Sequence, residues 1–284
     1  MERRGWGAVV LVLSLILAVA VPTALGLGTR ISGQGVRSPI PLPPVVGECL
    51  LSAVDPDGSV QQYIAGNIAS AALGACADGV DGSDQNFGEI VSVTTDQRAF
   101  PRSGGGRNSI PDPRSCQSAA DDYVGWPDTT WAPVSTRSVL LLGPGMSQYS
   151  SGQRWLACAI VPSQDGYLGS IRDDRNRSAA NAFAQCRLLD ASGPTPIPCA
   201  QPHGIEVFAT AVNPGTDEIA LNGSCTSLLA MVTHMSDPTA SGQLEVQIGP
   251  DRSLGKRNCE VQVSGERLLH ESLLGWGDEP LPLS

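Results

Sequence analysis

The stretch GQRWLACAIVP at residues 152–162 decides the fold, because a related stretch occurs a second time in the chain. The second stretch, GKRNCEVQV, occupies residues 255–263 and again places Gly-x-Arg before a cysteine. Alternation of apolar and other residues around each cysteine is typical of a strand with one buried face. The sequence therefore predicts one strand design used twice.

A helix-like run precedes each of these strands, and a cysteine stands at its start. Ser115 precedes Cys116, and Ser224 precedes Cys225, so each serine hydroxyl suits the N-cap of a helix. Apolar residues then recur at helical spacing in both runs. Two further cysteines precede each run, which gives four features in the same order twice. This order predicts an internal repeat.

We therefore predict an α+β fold with one N-terminal transmembrane helix followed by two tandem disulfide-bonded units. Each unit is expected to be a small, mainly antiparallel sheet with one helix that starts at its third cysteine. The first unit spans residues 46–175 and the second spans 176–264. A C-terminal tail at 265–284 is expected to hold a short amphipathic segment and a frayed end.

The cysteines predict a disulfide framework. They are Cys49, Cys76, Cys116, Cys158, Cys186, Cys199, Cys225 and Cys259. An even number on the exported side of a hydrophobic segment indicates disulfides. Zinc sites prefer closely spaced ligand pairs, whereas this sequence has no CxxC and only three histidines. We therefore predict neither a metal nor a cofactor.

The order of the cysteines within each repeat suggests which of them pair. The suggested pairs are Cys49–Cys76, Cys116–Cys158, Cys186–Cys199 and Cys225–Cys259. Eight cysteines allow many other connectivities, and repeat symmetry alone selects this one. Each bridge stabilises a small domain by about 2–4 kcal/mol, so a structural role accounts for all eight cysteines.

Residues 1–28 predict a cytoplasmic stub and a membrane anchor. Arg3 and Arg4 precede an uncharged stretch at 5–29, and a helix of about 20 residues crosses a bilayer core of about 30 Å. A cleaved signal peptide is the alternative, with small residues at Ala18 and Ala20. A Pro- and Gly-rich linker follows at 29–45. We expect a single-pass cell-membrane protein whose bulk lies outside the cytoplasm.

The net charge of −10 argues against nucleic-acid binding, because phosphate contacts need clustered positive charge. Sequence motifs of common catalytic sites are also missing from the chain. It has no hydrolase elbow, no zinc-protease helix motif and no phosphate-binding loop ending in Gly-Lys. Charge and motifs therefore argue against nucleic acid as a partner. We expect the chain to associate with the membrane and with a protein or cell-wall component.

The landmarks resemble the septum-formation domain family of actinobacterial envelope proteins. That family opens with a VGDC-like strand, which residues 46–49 match as VGEC. Its C-x2-P-H-x2-E-V motif is matched from Cys199, with Pro202, His203 and Glu206 at the motif positions. Its Gly-x-Arg strand is matched at Arg154 and again at Arg257, and its Gly-Ser-[Leu/Ile] sequence at 169–171.

The resemblance covers residues 46–264 as two diverged copies. The first copy lacks Pro-His and has Asn86 where histidine would stand, three residues before Glu89. The second copy opens with AQCRLL at 184–189 and shortens the spacing from Arg257 to its cysteine. The family name implies a connection to cell division without implying a mechanism.

His203 and Glu206 are the one pair with the residue types of acid–base catalysis. Positions three apart in a strand point to opposite faces, so the pair acts together only if Pro202 and Gly204 make a turn. The competing interpretation, which we favour, is a histidine that bonds a backbone carbonyl beside the Cys199 bridge. The sequence therefore predicts no catalytic residue.

Three tryptophans, Trp126, Trp131 and Trp155, either line a groove or fill a core. The turn-rich segment at 100–114 is expected to be a loop. We expect an extracytoplasmic interaction module, not an enzyme, with a link to septum formation that the resemblance implies. The alternatives are an envelope hydrolase or transferase that uses His203 and Glu206, and a structural spacer.

Overall fold

Two antiparallel β-sheets with the same strand order form the core of the computed structural model. Residues 40–284 make one compact unit. The structure describes residues 40–51, 73–79, 85–95, 102–103, 110–111, 116–127, 129–134, 138–162, 166–190, 193–212, 217–250 and 255–284. Among these residues it confirms the predicted combination of antiparallel sheets and disulfides.

The first sheet has the order β2-β1-β3-β8-β7. Its strands are β1 (Cys49–Leu50), β2 (Leu73–Gly74), β3 (Glu89–Thr94), β7 (Val139–Leu142) and β8 (Leu156–Ile160). A separate hairpin is formed by β4 (Arg102–Ser103) and β5 (Ile110–Pro111). This hairpin lies within the segment predicted as a loop, most of which is outside the described residues.

The second sheet has the order β10-β9-β11-β13-β12. Its strands are β9 (Gln185–Asp190), β10 (Gly193–Ile197), β11 (Ile205–Val212), β12 (Leu244–Pro250) and β13 (Lys256–Val263). The short strand β6 (Ala132–Pro133) comes from the first half of the chain and also pairs with β11. Beside β6, Trp131 is buried in the core of the second sheet and donates to Ser224 Oγ at 3.0 Å.

The equivalence of the two sheets extends to register and irregularities. Glu89 in β3 pairs with Cys49 in β1, and Glu206 in β11 pairs with Cys186 in β9. The register between β3 and β8 shifts two residues after Glu89, and that between β11 and β13 shifts two residues after Glu206. A bulge at the same place in both sheets re-aims the neighbouring side chains in the same way.

Four disulfides join the cysteines in the suggested pairs. They are Cys49–Cys76, Cys116–Cys158, Cys186–Cys199 and Cys225–Cys259. In each half, the first bridge joins a strand cysteine to a cysteine two residues beyond the end of the neighbouring strand, and the second bridge joins a helix to the sheet. The second bridge of each half therefore ties the helix that carries Cys116 or Cys225 to its own sheet.

The helices differ in part from the prediction of one helix per unit. The described helices are α1 (Cys116–Tyr123), α2 (Met146–Ser150), α3 (Arg177–Phe183) and α4 (Glu218–Thr233). The first helix starts at its cysteine, as expected. The second starts at Glu218 instead of Cys225, because Asp217 caps it by accepting from the Ile219 and Ala220 N–H groups.

The C-terminal segment is packed, so the prediction of a frayed end is wrong. Leu269 and Leu273 are both fully buried and belong to the core of the second sheet. The last residue, Ser284, donates its N–H to the Leu268 carbonyl. The apolar residues of this segment complete the second core and hold it in place.

The predicted anchor at 1–28 and the linker as far as residue 39 lie outside the described residues. Within the described part of the chain, no helix has the length and the apolar character needed to cross a bilayer.

Candidate functional site

Two fully buried glutamates occupy equivalent positions in the two sheets. Glu89 begins β3, and Glu206 is the second residue of β11. Both side chains are 0% exposed, which is rare for a carboxylate without partners. Because Cys49 and Cys186 stand opposite them, each carboxylate lies beside a disulfide.

Glu89 is held by three donors from the first half of the chain. Ser170 donates its hydroxyl at 2.7 Å, and the Ile171 N–H donates at 2.8 Å. The Tyr123 hydroxyl forms a third, short bond to the same carboxylate. The pKa of Tyr123 is raised by burial and by the adjacent Glu89 carboxylate. The phenol therefore stays protonated and donates.

Glu206 is held in the same manner by a segment near the C-terminus. Ser272 donates its hydroxyl at 2.5 Å, and the Leu273 N–H donates at 2.9 Å. Ser272-Leu273 is thus the second-half counterpart of Ser170-Ile171. The sequence prediction found only the first of these, in the Gly-Ser-Ile stretch. The second could have been found from the sequence, because Ser272-Leu273 follows the second Gly-x-Arg strand as Ser170-Ile171 follows the first.

Burial sets the protonation of Glu206. Desolvation raises its pKa to about 7, although bonds from Ser272 and Leu273 and the charge of Arg177 act in the opposite direction. The Arg177 guanidinium donates to the Ser272 carbonyl at 3.2 Å and to the Leu274 carbonyl at 2.6 Å. It therefore fixes the segment that holds the carboxylate.

His203 lies beside Glu206 and is itself fully buried. Its Nδ1 lies 2.8 Å from the Gln201 carbonyl, so Nδ1 carries the proton and donates. Burial lowers the pKa of the imidazole. Its Nε2 has no hydrogen-bond partner within the described structure.

The other half of the chain has Asn86 in the position of His203. Asn86 forms a bridge with Tyr167, as His203 does with Leu269. The Asn86 amide bonds the Ala77 backbone and the Gly169 carbonyl, so all of its polar atoms have partners. The two halves therefore place different side chains, Asn86 and His203, at the same type of isolated β-bridge.

A turn does bring His203 and Glu206 together. One ring nitrogen of His203, one carboxylate oxygen of Glu206 and the sulfur of Cys186 all lie within 4.8 Å of one another. Cys49, Cys76 and Glu89 form a comparable group in the first half. All of these sulfur atoms are in disulfides, whereas metals bind the thiolate form of cysteine.

The remaining motif residues lie at the surface, away from the buried carboxylates. Arg154 donates to the Tyr149 carbonyl at 2.7 Å and stacks over the Tyr149 ring at 3.6 Å. Arg257 is exposed on β13, and Pro202 is exposed before β11. Apart from the cysteines, His203 and Glu206 are therefore the motif residues that the structure brings together, and Pro202, Arg154 and Arg257 lie apart from them.

A cleft opens between elements from the two halves of the chain. It has a volume of about 210 Å³. Its walls come from the end of α1, the loop before α3, α3 itself, the end of α4 and residues 274–275. Trp126 lines this cleft, whereas Trp131 and Trp155 are 1% and 4% exposed. Of the three tryptophans, one therefore lines a groove and two fill cores.

The model of the septum formation family matches residues 85–221, just under half of the 284 residues. The match begins shortly before β3 and ends within α4, so it includes Glu89, His203 and Glu206. The comparisons with curated proteins and with solved structures gave no match. Over residues 85–221 the chain is therefore similar to the septum formation family.

Proposed function

We propose that the protein is an extracytoplasmic interaction module of the cell envelope, linked to septum formation, that binds a protein or cell-wall component without catalysis. One observation carries this proposal: the cleft between the two halves is open to solvent, whereas His203 and Glu206, the residues suited to acid–base catalysis, are fully buried. The family match supports the connection to septum formation and to the envelope.

The buried cluster supports binding over catalysis. His203 and Glu206 are both 0% exposed, and both oxygens of Glu206 accept hydrogen bonds from the protein itself. A general base must lie within about 3.2 Å of the proton it takes from a substrate. Because both side chains are fully buried, no substrate atom reaches that distance in this conformation. The cluster therefore holds the C-terminal segment against the second sheet.

The location of the protein is part of the proposal. The uncharged stretch at 5–29 supports a membrane anchor, and the four disulfides support an oxidising compartment. The equivalent sheets, bulges and carboxylate clusters support two copies of one ancestral domain. We propose on this basis a single-pass protein whose paired domains lie outside the cytoplasm.

A fluorescent fusion tests the link to septum formation. We expect the full chain, fused at Ser284 through a flexible linker to a protein that fluoresces after export, to concentrate at the division site. The matched control is a fusion that carries residues 1–45 only. Uniform signal around the cell from the full chain would contradict a role in septum formation.

One observation favours the alternative of an envelope hydrolase or transferase. The unpartnered Nε2 of His203 belongs to a ring that lies close to Glu206. Release of product from cell-wall fragments by the full chain, abolished by His203→Asn, would establish this alternative. Asparagine is the control residue because the first half uses Asn86 in that position.

A further inference from the structure

The cleft is built from equivalent positions in the two halves. Gly125 follows Cys116 at the same distance along the chain as His234 follows Cys225. Both residues end their helices in the left-handed conformation, with φ of +66° at Gly125 and +58° at His234. Both also line the cleft. The end of a helix from each half therefore faces the same space.

His234 occupies a position that glycine fills at lower cost. The left-handed conformation brings Cβ close to the backbone, and helices usually end in glycine there. Among the described residues, His234 is the one residue other than glycine with a positive φ. Strained residues that persist in a fold cluster at functional sites. The imidazole of His234 contributes to the cleft wall and lies 3.7 Å from the Asp174 carboxylate.

The rim of the cleft is negative. Asp173 and Asp174 line it, and both are exposed. Neither lysine nor arginine is among the described residues that line it. The ends of α1 and α4 add the partial negative charge of helix C-termini. Arg177 donates to the Leu274 carbonyl. Arg172 and Arg175 flank the two aspartates in the chain, but none of the three arginines lines the cleft. The lining at Asp173 and Asp174 therefore favours a cationic group.

The inner wall of the cleft is apolar. Ile171, Phe183 and Val124 form part of it, and Met231 borders it with 46% of its surface exposed. Methionine adapts its shape to a partner more readily than other apolar residues. The volume of about 210 Å³ is below the roughly 300–1,000 Å³ of small-molecule pockets, which suits one or two side chains.

We propose that this cleft receives a peptide segment of a protein partner, with an apolar side chain against Phe183 and Met231 and a basic group at Asp173 and Asp174. The proposal rests on the interaction function proposed above and names the chemistry of the partner. Charge complementarity with the acidic rim selects a basic segment over an acidic one.

Three small probes of similar shape test this chemistry: 2-phenylethylamine, 2-phenylethanol and 3-phenylpropionate. Binding to the full chain in detergent is followed by the ¹³C-methyl signal of Met231, which is assigned with Met231→Leu. We expect the amine to bind about five- to tenfold more tightly than the carboxylate, with the alcohol between them. Equal binding of the three probes, or an unmoved Met231 signal, would overturn the proposal.

Two variants separate charge from shape. Asp173→Asn with Asp174→Asn is expected to remove the preference for the amine and to leave the alcohol unaffected. Both side chains are exposed, and asparagine keeps the oxygen that accepts from the Arg175 N–H. Glu245→Gln is the matched control, because it removes an exposed carboxylate of β12 that does not line the cleft. An amine preference that survives the double substitution would contradict the assignment of the rim.

His234→Gly tests whether the strained histidine serves the cleft. We expect the Tm to rise by about 2–4 °C, because glycine relieves the left-handed strain, while all three probes bind more weakly. Unchanged probe binding would show that His234 is not part of the site. Capture of a partner in cells without any amine preference would overturn the proposed chemistry and leave the interaction function standing.

Discussion

Replacing Gly275 by alanine is expected to lower the free energy of unfolding by about 2–5 kcal/mol. Gly275 has a φ of +59°, and a Cβ there would lie 1.9 Å from the Asp174 carbonyl oxygen. The left-handed strain costs about 1–2 kcal/mol, and forcing atoms into a packed contact costs about 1–3 kcal/mol more. The measurement is denaturant unfolding of the full chain in detergent with its disulfides intact.

Gly277→Ala is the matched control for this experiment. Gly277 also has a positive φ, +79°, but a Cβ there meets nothing within 4 Å. We expect it to cost about 1–2 kcal/mol, the strain alone. Equal losses for the two variants would show that the close approach of residue 275 to the Asp174 carbonyl adds no steric cost.

The second large effect is a pH dependence that originates at Glu206. The pKa of about 7 in the folded protein exceeds the ordinary value of 4.5, so the folded state binds the proton more tightly than the unfolded state. The contribution of this group to stability is therefore complete below pH 4.5 and is lost as the pH rises through 7. The pKa difference corresponds to about 3 kcal/mol.

Glu206→Gln isolates this contribution, because glutamine resembles the protonated acid and does not titrate. Between pH 4.5 and pH 8, we expect the free energy of unfolding of the variant to gain about 3 kcal/mol relative to the wild type. Glu245→Gln, which changes an exposed carboxylate on β12, controls for the change in charge. A constant difference across this pH range would mean that Glu206 is not buried as described.

The disulfide pairs and the two sheets could be predicted from local patterns. A cysteine after Gly-x-Arg marks the strand, and a cysteine before an apolar run marks the helix. Because these features recur in order, the repeat symmetry was enough to suggest the pairs that the structure contains. Membrane anchoring, enzymatic inactivity and the number of family domains stay predictions.

The start of α4 was missed because two signals competed. Ser224 directly precedes Cys225 and is a suitable N-cap residue, which made it the apparent start of the helix. Asp217 caps the helix instead, and the burial of Leu221 against the second sheet extends it by two turns. Tertiary packing therefore overrides the weak helix propensity of the Asn-Gly pair at residues 222–223.

Local sequence patterns could not predict the carboxylate clusters or the cleft. Glu206 and Ser272 are 66 residues apart in the sequence, so nothing near either residue indicates that the two form a hydrogen bond. Trp126, Trp131 and Trp155 look alike in sequence, and only the fold separates the partly buried Trp126 from the two buried tryptophans. The cleft uses the ends of α1 and α4, whose approach depends on how the two halves pack.

Crosslinking from the cleft in living cells tests the interaction function most directly. A photoreactive residue placed at Met231 lies at the cleft, whereas the same residue at Ile219 lies on the exposed first turn of α4. We expect position 231 to capture a discrete envelope partner and position 219, which is 87% exposed, to capture none. Capture that is equal at both positions, or absent from position 231, would contradict a binding role for the cleft.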